Sequence, residues 1–386
     1  MLFLDPLTAI VGMVSLSVAT CYALLTVTAT VVWEFRKQPK HSLRPPAVTL
    51  LKPLCGLEPG LYEHLRGFCR QDYPDYQIIF GVRDPADPAL SVVDRLIAEF
   101  PTLPIDVVIN PQQHGNNFKI SNLINMQVQA RHDMLVMADS DAFVGRDYLA
   151  SVTAPLLDRK VGLVTCAYRG VPTAGIWSRL GAMYINEWYM PSIVLAWLFG
   201  YDGYVSGQTM CIRQETLTEL GGLQTIADYL ADDHQLGERV RGLGLRIVLS
   251  PYMVAGEHYE QNLESLIRHE LRWMRTIHIL KPWSFRLIFL TFSFPLAVFG
   301  ISMVSLGTRY RGAAWVLFGI SAVGRLALHF IHRWRGERPR LSDFWLLPLR
   351  DILLCWIWLR SLFISRVTWR GNEFHVGADG YMRRLT

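Results

Sequence analysis

From Leu7 to Trp33 the chain carries no charged residue, an unbroken run about as long as one membrane-spanning helix. Glu34, Phe35, Arg36, Lys37, Gln38, Pro39 and Lys40 follow at once. Cations behind an apolar run mark its cytoplasmic side. The run is too long for the apolar region of a secretory signal, and no small-residue cleavage site with a polar mature start follows it. Residues 7–33 therefore read as an uncleaved anchor, which delivers the next part of the chain to the cytoplasmic face.

Pro45 and Pro46 open a stretch of soluble composition, residues 45–257. Within it the apolar runs AVTLLKPL, YQIIFGVRD, IDVVIN, MLVMADSD, VGLVTCAY and RIVLSP alternate with helix-like segments. Short apolar runs spaced by amphipathic segments predict an α/β domain with a largely parallel sheet covered on both faces. Ligands of such sheets bind beyond the carboxyl ends of the strands. Two runs end there in acid: Asp84 and Asp87 after the second, Asp139 and Asp141 after the fourth.

Past Glu257 the composition changes again. NLESLIRHELRWMRTIHILKPW, from Asn262 to Trp283, mixes Leu and Ile with Arg, His and Trp at helical spacing, and residues 258–285 read as an interfacial helix. Residues 286–386 read as a C-terminal membrane region with apolar stretches at Leu287 to Leu306, Ala313 to Ile331 and Trp345 to Ile364. The third contains Arg350, Asp351 and Arg360, charges that in a membrane face a bundle interior or lie near an interface, so it reads as a tilted or re-entrant element. Three full spans would put Arg366, Arg370, Arg383 and Arg384 outside, against the positive-inside trend.

With 51% hydrophobic residues and 12 Trp, the chain is more apolar than an ordinary soluble protein. Its net charge of +5 is modest and its cations sit beside apolar segments, which favours a positive-inside membrane pattern over nucleic-acid binding. The 6 Cys show no CxxC spacing, so neither a zinc site nor a disulfide framework is indicated. A reducing, cytosol-facing globular part fits best.

VMADSDAFVG places Asp139 and Asp141 one residue apart after a buried strand. Such a pair offers hard oxygen ligands to Mg2+ or Mn2+, which in turn holds a diphosphate; its bland alternative is a polar turn that caps the next element. RDPADP holds Asp84 and Asp87, either a Pro-rich turn or a carboxylate that accepts the imide N–H of uracil. HGNNFKISNLIN adds Lys119, which touches a nucleotide or stabilises a loop. ADDHQLGERVRGLG puts Asp232 and Asp233 at a helix start, where negative charge is favourable on its own account or where one of them serves as a general base. In HELRW, Arg272 can grip a phosphate bidentately with Trp273 as an apolar wall, or the two simply belong to a membrane-surface helix.

The order D, DxD, D, xxxRW within one α/β segment resembles that of inverting membrane glycosyltransferases with a GT-A, Rossmann-like fold. More narrowly, LLKPLCGLEPGLYEHLRGFCRQDYP, GVRDPADPAL, KISNLIN, ADSDAFV, VGLVTCAYRG, LADDHQLGE and LRW resemble the ceramide glucosyltransferase family. RGVPTAGIWSRLGAMYINEW and RHELRWMRTI extend the likeness to its branch associated with bacterial hopanoid biosynthesis. The resemblance implies a GT-A domain between N-terminal and C-terminal transmembrane helices, in a multi-pass protein of the bacterial inner membrane with its catalytic domain in the cytoplasm. It implies Asp87, with Asp84 competing, at the nucleotide beside Lys119. Asp139 and Asp141 would hold the divalent cation and the diphosphate, Asp233 would be the catalytic base, and Arg272 with Trp273 would end the last motif. The family has Gln or Arg where this chain has His269, so part of the diphosphate grip passes to Arg268 or Arg275. The implied reaction displaces UDP from a UDP-sugar by a lipid hydroxyl with inversion. The implied pair is UDP-N-acetylglucosamine and bacteriohopanetetrol, a hopanoid polyol, with UDP-glucose and ceramide as runner-up. The rivals are a processive polysaccharide synthase, which needs more spans, and a nucleotide-sugar-binding module without chemistry.

Overall fold

Each apolar run of the 45–257 stretch forms a strand in the computed structural model, which describes residues 4–36, 44–173, 175–304, 309–333, 343–363, 366–369, 372–377 and 379–384. The strands are β1 (Val48–Pro53), β2 (Tyr76–Val82), β3 (Ile105–Ile109), β4 (Met134–Met137), β5 (Ala142–Phe143), β6 (Val161–Pro172), β7 (Met210–Arg213) and β8 (Arg246–His258). They build one sheet in the order β3-β2-β1-β4-β7-β6-β8-β5. β3, β2, β1 and β4 run parallel, as expected. The other half is mixed: β7 lies antiparallel between β4 and β6, β6 pairs parallel with β8, and β5 pairs antiparallel with β8. β7 and β5 are too short to stand out as apolar runs, which is why the sheet reads as more parallel in the sequence than it is.

All seven residues of β2 are buried, as befits a strand covered on both faces. One covering helix, Phe118–Gln127, approaches very closely at Gly81, where a Cβ would stand 1.9 Å from Met126 Sδ. Asn122 Nδ2 donates to Gly81 O there at 2.7 Å. Leu51, Ile79, Leu123, Met137, Ile212, Leu236 and Val240 share the core that fixes this helix and the helix Asp232–Gly242 on the sheet.

The chain divides into two units. One, Lys37–Thr173, Tyr201–Tyr259 and Arg366–Thr386, contains the sheet and also a small antiparallel one of β9 (Arg366–Trp369), β10 (Asn372–Val376) and β11 (Met382–Arg384). The other, Met1–Arg36, Ala174–Gly200 and Glu260–Ser365, is helical.

In the helical unit, Pro6–Glu34 and Arg311–Ile331 are, among the described residues, the two helices long and apolar enough to cross a membrane. The stretch from Leu287 to Leu306 is not one span. It breaks into a short turn at Ile288–Thr291 and the helix Ser293–Met303, with Pro295 in its first turn, where its missing N–H is tolerated. The 11 residues of this helix reach about 16 Å at ~1.5 Å per residue, roughly half of a hydrocarbon core. It packs on the N-terminal helix through two glycines; a Cβ on Gly12 would stand 2.6 Å from Gly300 O. The third stretch is the helix Asp343–Ser361, with Pro348 inside it. Its charges face inward: Arg350 forks onto Glu270 at 2.5 and 2.7 Å, and Asp351 accepts from Arg325 Nε at 3.1 Å. Arg325 NH1 donates to Glu187 at 2.6 Å, on a π-helical turn, Ile185–Tyr189.

Candidate active site

β4 ends at Met137, and Ala138 leads into Asp139, Ser140 and Asp141 before β5. The strand order reverses between β1 and β4, which run parallel, so the carboxyl end of β4 lies at the switch point where open α/β sheets bind ligands.

Lys119 reaches the same place from the first turn of the helix Phe118–Gln127. Asn117 caps that helix by accepting from Ile120 N at 3.1 Å, and its Nδ2 donates to Tyr229 O at 3.0 Å. The Lys119 ammonium lies 2.6 Å from Asp139 Oδ1 and 3.5 Å from Asp232 Oδ2, and donates to Gly207 O at 3.3 Å. Burial opposes its charge, but Asp139 and then Asp232 outweigh burial, so its pKa is raised and it stays an ammonium.

Asp233 arrives on the first turn of the helix Asp232–Gly242. Its Oδ2 accepts from Gly207 N at 2.9 Å and its Oδ1 from His234 N at 2.7 Å. Burial, and next the Asp232 carboxylate, push Asp233 up to about 6, while Lys119 and the two backbone donors pull the other way. Gly207 is the floor on which these groups meet. A Cβ there would stand 2.9 Å from Lys119 Nζ, 3.4 Å from Asp139 Oδ2 and 3.6 Å from Asp233 Oδ2.

Asp141 is held up to about 6 by burial, then by Asp139 and Glu58, with Lys52 working against them. Ser140 Oγ donates to Glu58 Oε2 at 2.8 Å, which brings that third carboxylate to the turn. A carboxyl pushed up by its neighbours, as Asp141 is, is relieved by a cation, and carboxylate oxygens are the hard donors that Mg2+ or Mn2+ takes, so the chemistry of the donor set fits a divalent ion. Lys52 is the counter-charge already present. It is 0% exposed on β1, donates to the Asp139 backbone carbonyl and lies 3.7 Å from the centroid of the Phe68 ring. Burial lowers it to about 7, against the pull of Asp139, Asp141 and Glu58.

The acids after β2 stand differently. Both Asp87 oxygens accept from Gly56 N, at 3.0 Å each, and Oδ1 also accepts from Ala89 N at 2.9 Å, so this carboxylate ties the segment after β1 to the start of the helix Ala89–Glu99. Asp84 is exposed, with Oδ1 accepting from Ala86 N at 2.8 Å. His269, Arg272 and Trp273 lie in the helical unit on the helix Leu263–Leu280, which Asn262 and Ser265 cap reciprocally. His269 Nδ1 is 2.8 Å from Glu260 Oε1, and the Trp273 ring stacks on Tyr184 with centroids 5.7 Å apart. Of the two further cations considered there, Arg268 is exposed and pairs with Glu264 at 2.5 Å, and Arg275 is half-buried on the same helix.

The family model described as glycosyl transferase family 21 matches residues 11–382. This chain belongs to that family. Family 21 makes it a sugar-transferring enzyme, and its sheet is that of a GT-A-like glycosyltransferase. Ceramide glucosyltransferase 3 of Caenorhabditis elegans is 22% identical over 97% of this family 21 chain and 82% of its own length. Ceramide glucosyltransferase 1 of the same nematode is 21% identical over 89% of this chain and 75% of its own length. A mannosyltransferase of Pyrobaculum calidifontis, solved with GDP-Man and Mn2+, shares the fold with a TM-score of 0.51 at 18% identity, over 86% of this chain and 100% of that one.

Sequence reasoning passed over Lys52, Glu58 and Gly207. Lys52 carried a signal, a charge inside the apolar run AVTLLKPL, since a fully buried Lys needs a partner. Glu58 and Gly207 carried none, because their meaning lies in neighbours distant in the chain.

Proposed function

We propose that this family 21 enzyme moves a hexose from a UDP-sugar to the hydroxyl of a membrane lipid by direct displacement, with inversion at the anomeric carbon. The observation that carries this reading is the meeting of Lys119, Asp139 and Asp233 around Gly207, which supports Asp233 as base and Lys119 with Asp139 as the diphosphate side. Asp233 takes the proton of the attacking hydroxyl, held in place by its two backbone donors. Lys119 balances the charge of the leaving diphosphate, and Asp139 and Asp141, with Glu58 near, hold a divalent cation. When bound, Mg2+ or Mn2+ would supply charge stabilisation to the departing UDP. Asp84, the exposed member of the acid pair, is the one we assign to the nucleotide base, with Asp87 kept for the fold. We assign Arg272, with His269 and Trp273 beside it, to the donor phosphates.

UDP-glucose and ceramide are the pair we favour, on the names of the two nematode relatives, which align over most of this chain. UDP-N-acetylglucosamine and bacteriohopanetetrol form the second reading, supported by the RGVPTAGIWSRLGAMYINEW and RHELRWMRTI stretches. The two apolar helices anchor the enzyme in its membrane, with the sheet unit on the cytoplasmic side where UDP-sugars and the Arg36 flank lie. The test is transfer by the full-length enzyme in lipid nanodiscs, with each donor offered against each acceptor and the product weighed by mass spectrometry. A hexosylceramide supports the favoured pair; an N-acetylhexosamine on the polyol selects the second. A polymer, or no glycolipid with any pair, would refute the transferase reading as stated.

A further inference from the structure

The segment that closes the chain returns to the sheet unit and grips the approach to Asp233. Tyr381 and Tyr229 form a β-bridge, with their rings edge to face at 5.4 Å. On either side of that bridge Met382 N donates to Asp228 O at 2.8 Å and Leu230 N donates to Gly380 O at 3.1 Å. The side chains repeat the link. Tyr381 OH donates to Asp228 Oδ2 at 2.8 Å, while Asp228 Oδ1 accepts from both the backbone N and Nδ2 of Asn116, each at 2.8 Å. Asn116 Nδ2 also reaches Met382 O at 3.0 Å, which closes the ring.

The other face of the 227–231 segment is held by the loop that leads into the Lys119 helix. Asn117 N donates to Ala227 O at 2.8 Å, and a Cβ on Gly115 would stand only 2.4 Å from that same oxygen. One carboxylate, that of Asp228, therefore joins the C-terminal segment, the Lys119 loop and the chain that runs directly into Asp232 and Asp233. It thus ties together the carriers of the two charged groups on which transfer rests.

We propose that Asp228 and Tyr381 are positioning residues for the transfer, forming a clasp by which the C-terminal segment fixes the start of the Asp232–Gly242 helix against Lys119. The inference rests on Asp233 as the base of the proposed reaction. Slackening the clasp lets Asp233 drift from the acceptor hydroxyl, and small displacements of a reacting group are costly.

The test uses the full-length enzyme in nanodiscs with the variants Asp228→Ala, Asp228→Asn and Tyr381→Phe, each also combined with Asp233→Asn. Asp228→Ala lowers kcat on the order of ten-fold, with KM for the UDP-sugar unchanged. Asp228→Asn retains most of the rate, because its Oδ1 still accepts from Asn116 and its Nδ2 donates to the Tyr381 oxygen. Tyr381→Phe, which keeps the ring against Tyr229, gives a smaller loss of the same kind and stands in if Asp228→Ala does not fold. On the Asp233→Asn background none of the three substitutions lowers the residual rate further, since all act through that carboxylate. An equal loss on both backgrounds, or full kcat in Asp228→Ala and Tyr381→Phe while Asp233→Asn is inactive, overturns the clasp. Full activity in Asp233→Asn itself overturns the base assignment and not the clasp's geometry.

Discussion

The Lys119 ammonium and the Asp139 carboxylate meet at 2.6 Å, and the same ammonium faces Asp232 at 3.5 Å. Lys119 is thus the cation shared by the strand-end turn and by the helix that carries Asp233, the proposed base. Removing it takes from Asp139, Asp232 and Asp233 the ammonium whose charge all three feel. Lys119→Met should therefore lower kcat/KM by roughly 100-fold, the scale of losing one preorganised electrostatic contact. Lys119→Arg should not restore it, because a planar fork does not fit where a point charge bridges Asp139 and Asp232. Steady-state kinetics on the two variants measure this, and a Lys119→Met enzyme at wild-type kcat/KM would contradict it.

Asp233 sets a pH limit. Its carboxyl is pushed up to about 6 by burial and then by Asp232, so the group is protonated over a range in which an ordinary Asp is ionised. A base works only in its ionised form. Activity is present above that midpoint and is lost as pH falls through it, with kcat/KM dropping roughly tenfold for each unit below. Asp232→Asn removes a like charge and should move the acidic limb to lower pH. A pH profile that is flat from 7 down to about 4.5 would count against Asp233 as the titrating base.

The strand-end turn predicts dependence on a divalent cation. Asp139, Asp141 and Glu58 bring hard oxygens to one turn, beside buried Lys52, which donates to the Asp139 carbonyl. Chelation should abolish transfer and Mg2+ or Mn2+ should restore it. Asp141→Asn should raise the cation concentration needed for half-maximal activity, and direct titration with Mn2+, followed by its electron spin resonance, should show the same weakening. Transfer that survives both chelation and Asp141→Ala rules the cation out.

In the helical unit, Arg350 and Glu270 are 2% and 1% exposed and are joined by two hydrogen bonds. Cutting one partner strands the other charge. Arg350→Met should destabilise the unit by about 3 to 5 kcal/mol, whereas Arg350→Met with Glu270→Met should recover most of the loss. Thermal unfolding in detergent compares the two; a double variant no better than the single one would show that the pair contributes more than mutual neutralisation.

How far the sequence reveals all this depends on how local each feature is. The parallel half of the sheet is legible, because strands buried on both faces must be apolar throughout, as YQIIFGV is. The antiparallel half is not, since MCIR is too short to carry a pattern and its place between β4 and β6 is set by long-range pairing. The stretch from Leu287 to Leu306 has the composition of a span but not its length of helix, and Pro295 was the local sign of the break. Within the candidate site, Asp139, Asp141 and Asp233 stand out by type and spacing, but a capping turn or a helix start would give the same pattern. What Asp87 does with its carboxylate does not, because Gly56 and Ala89 are brought to it only by the fold.

The C-terminal segment bears on membrane topology. β9 to β11 belong to the same unit as the large sheet, and Tyr381 bridges Tyr229 within it. In the proposed membrane enzyme, a segment that pairs with the sheet unit shares its side of the bilayer, which predicts an even number of crossings between Tyr259 and Arg366. Arg311–Ile331 is, among the described residues of that stretch, the one helix long and apolar enough to cross, and the Ser293–Met303 helix is shorter than a span. A membrane-impermeant maleimide should label exposed Cys55 and an introduced Arg383→Cys in vesicles of the same orientation. Labelling of the two from opposite faces would require an odd number of crossings and would separate β9 to β11 from the sheet unit.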